Sequence, residues 1–166
     1  MLSRKASLGM LILLTAAMVA ACCMLPRIPQ PASYHQFADR RSLLGIPNFG
    51  DVASNLPFAV VGIWGLVFLL RTRFRKNAQT FLDEWERWPY LFLFIGLLLT
   101  AFGSSYYHLA PDNARLLWDR LPMTITFMAM VSAVIAERIS VRLGIWLLPF
   151  LLTVGLASVV QWEWSE

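Results

Sequence analysis

Residues 103–123, "GSSYYHLAPDNARLLWDRLPM", gather two serines, a histidine and aspartates at the end of an apolar run, "WPYLFLFIGLLLTAF". Ser104 and His108 stand at i and i+4. In a helix such a pair shares one face, about 6 Å apart along the axis. Neutral imidazole is a good zinc ligand, and zinc lowers the pKa of bound water to about 7. A nearby carboxylate can accept that water's proton, and a hydroxyl can donate to an oxyanion as it forms. Asp119 follows His108 after a short connection, so it can return beside it if the two flanking helices are antiparallel neighbours. Two bland alternatives compete. A histidine near a membrane interface can be an anchor, or can bond a backbone carbonyl. One histidine also does not make a catalytic zinc site, which usually has three protein ligands.

The elements that must position these residues are membrane helices. The 166 residues are 58% hydrophobic and 14% charged, with a mean hydropathy of +0.59. A soluble domain has roughly a quarter of its residues charged. Five apolar segments stand out: Leu8–Leu25, Leu56–Leu70, Trp88–Leu109, Leu121–Ala136 and Leu143–Val160. Most approach the length that crosses the hydrocarbon core, and in lipid the backbone must satisfy its own hydrogen bonds. The expected fold is therefore an all-α, polytopic membrane helix bundle of about five transmembrane helices. The second span is the shortest and can start a turn earlier, near Val52. Pro122 is expected in the first turn of the fourth helix, where proline is tolerated.

The net charge of +4 does not point to nucleic acid, because the basic residues sit at the ends of apolar runs. Arg4 and Lys5, "RTRFRK" at 71–76, and Glu137, Arg138 and Arg142 mark one side of the membrane as cytoplasmic. His108 and Asp119 then lie at the non-cytoplasmic end of their helices. Trp85, Trp88, Tyr90, Trp118, Trp146, Trp162 and Trp164 lie near expected helix ends, as interfacial belts do. "GLVFLL" and "GLLLT" read as helix-packing glycines. Residues 1–30 form an N-terminal membrane helix or a signal-like segment, with "VAAC" ahead of Cys22 resembling a lipoprotein box. A transporter has less support, since matched broken helices are absent.

The second polar stretch, 35–58, holds His35, Asp39, Asn48, Asp51 and Asn55. Oxygen-rich loops can bind calcium, but Asp39 abuts Arg40 and Arg41. The simpler reading is a loop that caps the second helix through Asp51 or Ser54.

"GSSYYH…WDRLPM" together with "FGDVASNLPF" resembles the alkaline ceramidase family, in its bacterial branch. That family sits in a wider superfamily with adiponectin-receptor-like membrane hydrolases. The shared pattern is Ser104-x-x-x-His108, Asp119 and Leu121-Pro122-Met123, with Asn55-Leu56 heading the preceding helix. The resemblance covers about residues 35–166. It implies a seven-helix core, here preceded by one extra helix, that hydrolyses the amide of ceramide in sphingolipid metabolism. His108 would be a zinc ligand, Asp119 would handle the proton of the zinc-bound water, and Ser104 would support the tetrahedral intermediate. Asp39 and Asn48 are the nearest candidates for the family's calcium site.

The family completes its zinc site with a His-x-x-x-His pair on its last helix, whereas these residues include two histidines and no such pair. Residues 31–166 are therefore expected to be a partial, C-terminally truncated ceramidase-like domain that holds zinc weakly or not at all alone. The expected partners are the bilayer and a membrane lipid substrate. The expected place is a bacterial inner membrane, with the site on the non-cytoplasmic side. The oligomeric state is not legible. The alternative is a non-catalytic or receptor-like membrane protein of the same fold, inactive because the C-terminal zinc ligands are absent.

Overall fold

The computed structural model describes residues 30–36, 39–74, 81 and 83–165, with scattered helical positions between 9 and 24. The five named α-helices are α1 (Phe49–Ala53), α2 (Leu56–Phe74), α3 (Arg87–Leu109), α4 (Asn113–Arg138) and α5 (Val141–Ser165). Short 3-10 turns at Ala32–His35 and Glu84–Glu86 precede α1 and α3. Among the described residues four helices are long and apolar enough to cross a membrane, with α1 and α2 forming the first of these. The chain is a multi-pass integral membrane protein built as a helix bundle. Among the described residues the count of spans is thus four, against about five expected. The expected first span, Leu8–Leu25, with the Cys22 lipoprotein reading, lies largely outside the described residues, as do Arg4, Lys5, Arg75 and Lys76.

Consecutive long helices pack against one another, α2 on α3, α3 on α4 and α4 on α5, while α1 packs on α3. This is the up-and-down arrangement that short connections favour. Small residues, including Ala101, Ser104, Ala129, Ser132 and Ala133, share the bundle interior with a few large ones such as Leu69, Tyr107, Leu116 and Leu148. Many large apolar side chains point outward, with Trp64 73% and Phe102 67% exposed. That distribution suits lipid, where close backbone approach holds helices together and apolar surface needs no burial. Gly65 faces the Phe94 ring, and a Cβ on Gly96 would meet the Thr126 backbone nitrogen at 2.8 Å, so both glycine runs do serve packing. Ser132 is fully buried and donates to the Gly144 carbonyl at 2.8 Å, tying α4 to α5.

Two expectations are corrected by α4. The helix starts at Asn113, two turns before the apolar run at Leu121, and Pro122 lies inside it rather than in its first turn. The start is set by Asp112, whose carboxylate accepts from the Arg115 amide at 2.7 Å as an N-cap. Pro122 has no N–H to offer the Trp118 carbonyl one turn back. That carbonyl faces Gly103 on α3, where any Cβ would collide with it. Glycine at 103 therefore lets the two helices close on each other beside Ser104.

Candidate functional site

Ser104 is buried on α3, 6% exposed, and His108 is half-buried one turn later. Asp119 is half-buried in the second turn of α4. The close approach at Gly103 and Trp118 brings the two helix faces together there. The Ser104 hydroxyl, His108 and Arg120 all lie within interaction range of the Asp119 carboxyl. The three residues singled out by spacing are thus assembled at one end of the bundle. Asp119 Oδ1 is buried and has no hydrogen-bond partner among the described residues.

Three ties surround this group. Asn48, just before α1, donates from Nδ2 to the His108 carbonyl at 2.8 Å. His35 bonds the Tyr107 hydroxyl through Nδ1 at 2.9 Å and Asn113 Oδ1 through Nε2 at 2.8 Å. Because Oδ1 only accepts, the His35 proton belongs on Nε2, and Tyr107 donates to Nδ1. Arg120 donates to Gln30 Oε1 at 3.0 Å and stacks 4.0 Å from the Trp162 ring centroid on α5. The segment at 30–36 is therefore strapped across the ends of α3 and α4, and Arg120 links α4 there to Trp162 on α5. His35, Tyr107 and Asn113 were not legible as a unit, since they are separated by 72 and 78 positions. No local pattern marks such a pairing.

The loop at 39–50 is organised by Asp39. Its carboxylate accepts from Arg41 Nε at 2.7 Å, and from the Gly50 amide at 2.6 Å. The hydrogen bond from Arg41 holds the Asp39 carboxyl below its usual value, with the Gly50 and Arg41 amides acting in the same sense. Asp51 lies within α1 and Ser54 closes its C-terminus, its amide donating to the Gly50 carbonyl at 2.9 Å, so neither heads α2 as the expected cap. Asn48 occupies the position before α1 with φ 47° and makes no side-chain cap, while Ser54 donates to the Asp51 carbonyl at 2.7 Å. Asp51 Oδ2 is buried without a hydrogen-bond partner among the described residues. Asn55 is buried and donates to the Asp51 carbonyl at 3.1 Å.

Two carboxylates with unsatisfied buried oxygens, Asp51 and Asp119, are carried by α1 and α4, the two elements that flank α3 at this end. An unsatisfied buried carboxylate oxygen is costly, and a cation or a donor relieves it. The described residues hold no cluster of three or more His, Cys, Asp or Glu able to enclose a metal. His35 has both ring nitrogens engaged by protein groups, which leaves His108 as the imidazole of the site. No family model matches the chain, and no curated protein or solved structure does so either.

Proposed function

We propose that this protein is a membrane hydrolase that cleaves the amide bond of a ceramide-like sphingolipid with an activated water. The observation that carries the reading is the Ser104–Asp119 juxtaposition, with a buried carboxylate oxygen left open and His108 alongside. In support, the motif residues resemble the alkaline ceramidases, and the group lies at the end of a bundle whose surroundings already hold acyl chains.

In this reading the Asp119 carboxylate takes a proton from water as its oxygen attacks the amide carbonyl. The Ser104 hydroxyl donates to the oxyanion that develops. Asp119 then returns the proton to the departing amine, leaving a fatty acid and a sphingoid base. Asn48 and the His35 strap position the end of α3, and with it His108. Zinc, when bound, supplies a water of pKa about 7. His108 would be one of its ligands, but the described residues do not complete a set, so the steps above run through protein groups alone. Calcium at Asp39 and Asn48 would have to displace the Arg41 and Gly50 donors from Asp39. The site faces the non-cytoplasmic side, because Arg71, Arg73, Arg138 and Arg142 gather at the opposite end.

The test is release of fatty acid from an N-acyl sphingoid base by membranes of cells expressing the gene that encodes these residues. Release that needs the Ser104 hydroxyl is expected, and equal release from Ser104→Ala membranes would sink the proposal. A second reading, a non-catalytic receptor-like bundle, draws on the polar ties themselves. Asn48, His35 and Arg120 use this end of the molecule for packing. It predicts no lipid turnover and unaltered stability after chelation.

A further inference from the structure

We propose that the end of the bundle opposite the candidate site binds a phospholipid whose zwitterionic headgroup carries a primary ammonium. A cavity of about 650 Å³ opens between the turn at Glu84–Glu86 and the first turns of α5. Its volume falls within the roughly 300–1,000 Å³ of small-molecule sites. Asp83, Glu86 and Arg142 line it, and neither Asp83 nor Arg142 forms an ion pair among the described residues. Opposite charges that share a cavity without meeting complement a ligand that carries both signs.

Each half of such a headgroup has a partner. Arg142, exposed in the first turn of α5, offers a planar set of donors to a phosphate. Asp83 offers carboxylate oxygens to an ammonium, and its Oδ1 already accepts from the Trp85 amide at 3.3 Å, which holds the turn at the cavity mouth. Trp85 and Trp146, 60% and 72% exposed, line the same cavity. Their rings suit the membrane interface and attract a cation over their faces. Ile145 and Pro149 continue the lining along α5, where acyl chains would run into the bilayer. A primary ammonium is favoured over a quaternary one because it has N–H donors for Asp83. A purely anionic headgroup is disfavoured by Asp83.

Native mass spectrometry of the full chain, titrated with phosphatidylethanolamine, phosphatidylcholine and phosphatidylglycerol, tests this. Phosphatidylethanolamine should be retained about fivefold better than either other lipid, the scale of one charge contact near a membrane. Asp83→Asn should remove that preference, whereas Arg142→Ala should lower retention of all three lipids and Arg142→Lys should restore most of it. Both side chains are exposed, so the helical circular dichroism of the variants should match that of the parent. Quenching of Trp85 and Trp146 by a brominated phosphatidylethanolamine gives a second readout. Equal retention of the three lipids, or a preference that survives Asp83→Asn, overturns the proposal.

Discussion

Gly103 on α3 lies against the main-chain carbonyl of Trp118 on α4, the carbonyl that Pro122 leaves without its helical donor. A proline inside a helix and a glycine on its neighbour thus form one device. The proline frees a carbonyl, and the glycine makes room for it. Ser104 and Asp119, each one residue further along its helix, are brought together by the same approach.

Gly103→Ala should therefore separate α3 from α4. Overpacking of a tight contact costs about 1–3 kcal/mol. Thermal unfolding in micelles should show the loss, and a variant as stable as the parent would mean the contact is loose.

The His35 strap should also be measurable. Tyr107 is buried, so His35→Ala removes a hydrogen bond from its hydroxyl, at about 0.5–1.5 kcal/mol. A double-mutant cycle with Asn113→Ala should give a coupling of about 0.5–3 kcal/mol. Strict additivity would show that the two side chains do not interact in the membrane.

Asp39 sets a pH dependence in the loop. Its folded pKa is depressed, chiefly by the Arg41 hydrogen bond. The stabilisation is therefore complete above the unfolded value of about 3.9 and is lost as pH falls through the lower, folded value. The Gly50 amide proton, followed by NMR from neutral to acid pH, should move upfield with a midpoint below about 3.9. Asp39→Asn should hold the upfield position throughout. A midpoint at or above the ordinary value contradicts this assignment.

Zinc retention tests how complete the metal site is. The described residues offer His108 and no cluster of three ligands, so the 166-residue chain should lose added zinc on dialysis. Stoichiometric zinc that survives dialysis, measured by elemental analysis, would show a ligand set that these residues do not reveal.

Much of the fold was legible because hydropathy reports what faces lipid. The Trp88–Leu109 run became Arg87–Leu109, a difference of one residue at one end. The start of α4 was misplaced because hydropathy ends where polar residues begin, while "NARLLWDR" is helical beyond the apolar run. The local signal was the Asp112 cap three residues before Arg115. Pro122 was misread for the same reason, since its position counts from the helix start. The grouping of Ser104, His108 and Asp119 was legible from helical spacing plus a short connection. The strap from His35 was not, because residues 72 and 78 positions apart meet only once the bundle is folded.

The central claim is that the Asp119 carboxylate moves the proton in an amide hydrolysis. The direct test compares fatty acid release from ceramide by membranes expressing the parent gene and its Asp119→Asn variant, at matched protein levels. The substitution keeps the side chain's size and removes its basicity. The account predicts a fall of about 10²–10⁴-fold, the scale of one general acid–base group, with the bundle still folded. Undiminished release from the Asp119→Asn membranes would contradict it.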